Sequence, residues 1–258
     1  MVRKFVHSLF AIGVIAASTF DASAAEVHVM ISGGLTAAFK TLVPQYEKAS
    51  GNTVVIAYGP SMGTTPQAIP MRLSRGEPAD VLIMVGDALG DLIGQGKAVA
   101  ASRVDIADSP IGAAVKAGAT KPDISTPEAL RAALLAAKSV AYSDSASGVY
   151  VGKDLFDKLG LADSMKDKAR MIPATPVGEI VAKGEAELGF QQISELKPVP
   201  GIDIVGPLPP ALQKMTVFSA GLASKAQQPD AGKALIAFLA SKDAVPVIVA
   251  TGLVPKVK

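Results

Sequence analysis

Val27-His28-Val29-Met30-Ile31-Ser32-Gly33-Gly34-Leu35 is the stretch whose reading decides the fold. Its first five residues are β-prone and mostly apolar, the pattern of a strand buried on both faces. Ser32-Gly33-Gly34 ends the strand, and Leu35, Phe39, Leu42, Val43 and Tyr46 then fall at helical spacing up to Ala49. Gly51-Asn52 turns the chain into Val54-Val55-Ile56-Ala57-Tyr58. Another helical stretch runs to Arg75, Gly76-Glu77-Pro78 stops it, and Val81-Leu82-Ile83-Met84-Val85 is the next strand. A β-α-β-α-β order of this kind predicts a parallel sheet with helices on both faces.

A second set of elements follows. Ile111 to Val115, Val140-Ala141-Tyr142, Met171-Ile172, Leu188-Gly189-Phe190 and Ile202 to Val205 read as strands. Ala129 to Lys138 reads as a helix capped by Thr126 with Pro127 at its first position, and Val149 to Leu159 as another. Asp230 to Leu239 and Ala244 to Ala250 return to helix. The fold class expected is α/β in two lobes, each a mainly parallel sheet flanked by helices, with a ligand cleft between them. Residues 25–108 form the first part of lobe 1, 109–216 form lobe 2, and 217–258 return to lobe 1. Crossings near Ala107 to Ser109 and Thr216 to Ser219 make a cleft that can hinge shut.

The chain begins with a secretory pattern, which we assign to residues 1–24. Arg3 and Lys4 are the basic region, Ser8 to Thr19 the apolar region, and Ala22-Ser23-Ala24 fits the small-x-small cleavage rule. The apolar stretch is too short to span a bilayer comfortably, and none later looks like a span. The expected location is the periplasm, with no membrane insertion after cleavage. No cysteine occurs, which excludes disulfides and thiolate chemistry. Of the two histidines, His7 leaves with the leader and His28 sits in a strand, so a multi-histidine metal site is excluded and no metal is expected. The formal net charge of +2 falls to +1 once Arg3, Lys4 and Asp21 are removed. Without a basic run or basic-aromatic stripe, nucleic acid is not an expected partner.

Four junctions share one composition: Ser32-Gly33-Gly34, Pro60-Ser61-Met62-Gly63, Ser143-Asp144-Ser145-Ala146-Ser147-Gly148 and Pro176-Val177-Gly178. Each places small residues between a strand and a helix. A helix N-terminus offers free N–H donors and partial positive charge, glycine admits a ligand to the backbone, and serine adds a short donor. Ordinary capping also favours these residues at any helix start. It is their recurrence beyond strand C-termini, where ligands collect in open α/β sheets, that points to an anion site. Replacing Ser61 by alanine is then expected to weaken binding and leave the apo melting temperature nearly unchanged. Arg72 and Arg75, three apart on one helix face, are candidates for added positive charge if the Pro66 and Pro70 region starts the helix late. Asp144, Tyr142, Tyr150 and Glu179 are candidates for proton transfer. Each also suits a structural role: a turn acceptor for Asp144, core packing for the tyrosines, a dipole complement for Glu179.

The chain resembles the periplasmic molybdate-binding proteins of the type II solute-binding superfamily. The resemblance runs through Ser32-Gly33-Gly34-Leu35, Tyr46-Glu47-Lys48-Ala49-Ser50-Gly51 and Ser61. It continues through Gly76-Glu77-Pro78-Ala79-Asp80-Val81, Ala146-Ser147-Gly148-Val149-Tyr150 and Gly184-Glu185-Ala186-Glu187-Leu188-Gly189-Phe190. It implies a small anion held by hydroxyls and backbone amides at Ser32, Ser61, Ala146 or Ser147, and Val177. It also implies delivery of that anion to an ABC permease. The family usually places a tyrosine after the Leu-Gly-hydrophobic stretch, where this chain has Gln191-Gln192. Those glutamines, the proline-rich loop from Gly59 to Pro70, and Tyr142 to Tyr150 look similar to a sister branch, the periplasmic aconitate isomerases. That likeness implies an allylic proton shift between trans- and cis-aconitate, with no metal or redox cofactor and with donors for a tricarboxylate. The ligand set expected is Ser32, Gly33, Gly34, Ser61, Met62, Ser145, Ala146, Ser147, Val177, Gln191, Gln192 and Arg72. A solute-binding role in uptake is the first expectation and the isomerase the alternative.

Overall fold

The computed structural model describes residues 24–173 and 175–256, so the assigned leader lies outside the described residues except for its last position. In chain order, β1 (Glu26–Ile31), α1 (Gly33–Ser50), β2 (Thr53–Tyr58), α2 (Ile69–Ser74), β3 (Val81–Val85), α3 (Gly86–Gly94) and β4 (Val104–Ser109) come first. Then follow β5 (Ile111–Lys116), α4 (Pro127–Ala136), β6 (Val140–Ser143) and α5 (Ala146–Tyr150), which runs through a π turn (Val151–Leu155) into α6 (Phe156–Lys158). After these come α7 (Ala162–Met165), β7 (Ala169–Ile172), α8 (Val177–Ala182), β8 (Leu188–Gln192), α9 (Ile193–Leu196) and β9 (Ile202–Pro207). The chain closes with β10 (Thr216–Leu222), α10 (Pro229–Leu239), α11 (Val245–Ala250) and β11 (Val254–Pro255).

Among the described residues the strands form a six-stranded sheet, β11-β4-β10-β3-β1-β2, and a five-stranded sheet, β7-β6-β8-β5-β9. The parallel pairing expected from the helical crossovers holds where helices intervene: β1 with β2 and β3, and β6 with β7 and β8. The remaining pairs are antiparallel, an addition that the expectation of mainly parallel sheets omitted. The cause is the connection. β4 and β5 belong to different sheets and are joined by Pro110 alone, and β9 likewise leads to β10 in the other sheet, so β5 and β10 each enter their sheet from the joint where their neighbours end and run against them.

Each sheet has its own apolar core. Phe39 and Leu42 from α1 pack with Ile31, Leu82 and Ile83 in the first; Phe190, Ile111, Leu130 and Leu134 pack in the second. Thr126 caps α4 as expected, its Oγ1 accepting from the Ala129 N–H at 3.1 Å, with Pro127 in the first turn. The chain passes between sheets at Ser109-Pro110 and again ahead of Thr216, and the strand C-termini meet at that joint. Among the described residues no helix is long and apolar enough to cross a membrane.

Candidate functional site

A cavity of about 600 Å³ opens at the joint, lined from both sides of the molecule. On the first side, β1 leads into Ser32, the N-cap residue of α1. Its hydroxyl makes no capping bond. Instead Ser61 Oγ donates to Ser32 Oγ at 2.7 Å while accepting from the buried Val85 N–H at 2.9 Å. Both serines are buried and line the cavity. With its oxygen occupied by Ser61, the Ser32 hydroxyl keeps its own proton for a ligand. Met62 and Gly33 line the same side, whereas Gly34 packs under the Phe218 ring. Lys40 is the one cation among the described lining residues, its Nζ 5.1 Å from the Tyr58 ring centroid.

The second side is built on β6 and β8. Ser143, Ser145 and Ser147 form a triangle of hydroxyls, with Oγ···Oγ distances of 2.7, 3.1 and 3.3 Å, in which either partner of each pair can donate. Gly148 lets α5 start this tightly, because a Cβ there would overlap the Ser143 carbonyl. Asp144, Ser145 and Ala146 face the cavity, and Ser147 is buried behind them. Val177 does not line the cavity; its N–H donates to Gln191 Oε1 at 2.8 Å. The amide of Gln191 in turn hydrogen-bonds the carboxyl of Glu195 on α9.

Glu195 was not among the residues singled out from the sequence. Its carboxyl lies so close over Gly33 that a Cβ on Gly33 would overlap Oε1. Oε2 is shut away from solvent and has no hydrogen-bond partner. Burial pushes its pKa up; the Gln191 hydrogen bond opposes this and the nearby charge of Asp144 adds to it, for a value of about 7. The signal that would have found it is the rule already applied to the serines: it lies in the short helix that opens at the C-terminus of β8.

Gln192 occupies the joint itself. Its amide satisfies its surroundings with the nitrogen donating to Ser109 O at 3.0 Å and Ser109 Oγ at 2.8 Å, and the oxygen accepting from Thr216 Oγ1 at 2.9 Å. The opposite orientation retains a bond to Thr216 Oγ1 but turns the oxygen toward carbonyls. One side chain therefore ties both crossing strands together and still reaches the cavity.

Other candidates lie elsewhere. The second junction does not start a helix: bends occupy the stretch after Ser61, and α2 begins only at Ile69 with Pro70 in its first turn. Arg72 is absent from the cavity wall. Glu77 takes it at 2.6 Å and Arg75 at 2.7 Å, while the two guanidiniums also bond the carbonyls of Gln67 and Pro66. The pair thus fastens the loop that presents Ser61 and Met62. Tyr142 packs edge-on against Phe156, and Tyr150 donates to the Leu212 carbonyl at 2.7 Å. Glu179 lines the cavity from α8. Among the described residues no cluster of three or more His, Cys, Asp or Glu side chains converges.

Two sheets joined twice, with the cavity at the joint, define a ligand clamp of the type II periplasmic-binding-protein fold. The chain belongs to the bacterial extracellular solute-binding protein family, whose model matches residues 27–254. A protein of Pseudomonas sp described as aconitate isomerase is 56% identical over 227 residues, covering 88% of this chain and 87% of that protein. The molybdate-binding protein ModA of Azotobacter vinelandii is 28% identical over 243 residues, covering 90% of each chain. The solved periplasmic molybdate-binding protein of Azotobacter vinelandii superposes with a TM-score of 0.72 at 22% identity, over 88% of this chain and 98% of that one, a likeness of fold.

Proposed function

We propose that the cleft is the active site of a cofactor-independent isomerase that interconverts trans- and cis-aconitate in the periplasm. The observation that carries this reading is the cavity of about 600 Å³, with hydroxyl groups on both walls and Lys40 at its side. A tetrahedral oxyanion fills the space of a few waters, at roughly 30 Å³ each, and would leave most of that volume empty. A propene tricarboxylate reaches in three directions and can engage Ser32 on one wall, the serine triangle on the other, and the Lys40 ammonium. The relative described as aconitate isomerase supports the same substrate.

The second reading is a solute-binding protein that hands a molybdate-like oxyanion to an ABC permease. The Ser32–Ser61 pair at the head of α1 and the molybdate-binding relative favour it. Purified mature protein mixed with trans-aconitate separates the two. The isomerase reading expects a continuing absorbance change with cis-aconitate as product. Thermal stabilisation by molybdate with no turnover of aconitate would overturn it in favour of transport. Cell fractionation checks the location: recovery with the cytoplasm would contradict the leader assigned to residues 1–24.

A further inference from the structure

The proton shift needs a group that can take a proton from one carbon and return it to another. From the geometry of α9 we infer that Glu195 is that catalytic residue, an inference that rests on the isomerase reading. Asp144 and Glu179 share the cavity, but Glu195 differs in placement. Its carboxyl sits over Gly33 at the N-terminus of the 18-residue α1, it is held by Gln191, and its Oε2 is buried with no hydrogen-bond partner. An orphaned buried carboxylate oxygen is costly, and a bound proton relieves that cost. Gly33 is what admits it, since any side chain there would displace the carboxyl.

The step balances with no co-reactant. The Glu195 carboxylate removes a proton from the methylene carbon of trans-aconitate. The released C–H pair forms the new double bond to the central carbon. The pair of the old double bond moves to the far carbon, which takes the proton back from Glu195. Negative charge that develops on the substrate carboxylates faces the first turn of α1 and the Ser32 hydroxyl. The alkene geometry of the product is set by how the two arms are held before the proton moves.

The charged groups that line the cavity with Glu195 are Asp144 from the loop after β6, Glu179 on α8, and Lys40 on α1, of which Asp144 acts on its charge. Lys197 on α9 itself turns away, its Nζ donating to the Ala250 carbonyl at 2.8 Å. Burial first, and Asp144 after it, raise the carboxyl to about 7, a basicity suited to proton transfer near neutral pH. Because the ionised form is the base, kcat/KM rises with pH through that value and levels off above it. A bound trianion lifts the pKa further, so the kcat profile lies at higher pH than that of kcat/KM.

The test compares wild type, Glu195→Gln and Glu195→Asp for turnover of trans-aconitate and for its binding by calorimetry. Glu195→Gln is expected to lose about a thousand-fold in kcat while binding stays within about tenfold. Glu195→Asp keeps the carboxylate but withdraws it by one methylene, and is expected to fall between the two. Turnover by Glu195→Gln within tenfold of an active wild type overturns the inference and leaves the isomerase reading standing. An inactive wild type overturns both. Should Glu195→Gln fail to fold, the wild-type pH profile decides: a kcat/KM that is flat from about pH 5.5 to about pH 8.5 overturns the role of Glu195.

Discussion

The two walls of the cleft both present hydroxyls, and they arrange them differently. On the wall built from β1, β3 and α1 every direction is assigned: the Val85 N–H donates to Ser61, Ser61 donates to Ser32, and Ser32 points its remaining proton outward. On the wall built from β6, β8 and α9 the triangle of Ser143, Ser145 and Ser147 has no fixed donor, and Glu195 carries an oxygen with no partner. A chain of assigned donors grips a ligand oxygen in one place. A ring of interchangeable hydroxyls can shift protons while its heavy atoms stay still. The two walls thus offer a ligand different kinds of hydrogen bonding, and each wall can be attacked alone.

After Glu195→Gln itself, the largest effect is expected from Gly33→Ala, which brings the walls into conflict. Alanine suits the first turn of α1 at least as well as glycine. Its Cβ, however, would drive the Glu195 carboxyl out of place. An expected loss of about a hundred-fold in kcat, with little change in the melting curve, would mark displacement of the reacting group by about 1 Å. Full activity in this variant would break the comparison, because the carboxyl would then work from somewhere else.

Ser61→Ala attacks the assigned wall, and here the structure revises the sequence-based expectation of an unchanged melting temperature. The variant leaves the buried Val85 N–H without its acceptor, which costs about 1–3 kcal/mol, so thermal unfolding moves down together with ligand affinity. A melting temperature equal to wild type would show that the wall is less rigidly wired than its distances imply.

Stability against pH sharpens the picture of the other wall. Glu195 holds its proton up to about 7 in the folded protein, against 4.5 for the unperturbed group. Its contribution is therefore fully present below the lower value and is lost as pH rises through the upper one. The apo melting temperature should fall across that window, and Glu195→Gln should flatten the fall in a scan at several pH values. The smallest effect is expected at Glu77, away from both walls. Arg75 first, and Arg72 after it, hold its pKa below 4.5, so its stabilising role is present above that value and fades as pH drops beneath it. Glu77→Gln should barely move the melting temperature at neutral pH, since exposed ion pairs are weak.

What was legible in the sequence follows range of interaction. Runs such as Val81 to Val85 and Val27 to Ile31 announce buried strands through local pattern alone, and both were read nearly to the residue. Ser32 and Ser61 were legible because strand ends are where ligands gather. Arg72 misled because its partner Glu77 lies beyond the turn at Gly76, which spacing on one helix face ignores. Tyr150 looked free for chemistry because the carbonyl that claims it belongs to Leu212, 62 residues away. Glu195 stayed hidden because α9 is only four residues long, too short for periodicity to reveal, and because its altered acidity comes from burial and from Asp144 on a distant segment of the chain.

Gln192 has a consequence for how this clamp can be retuned. One amide joins Ser109 to Thr216 across the two connecting strands and also borders the cavity. A substitution there would change the cavity border and cut the tie between the two connecting strands in the same stroke. Variants of Gln192 should therefore be screened for ligand binding and for relative motion of the two sheets together.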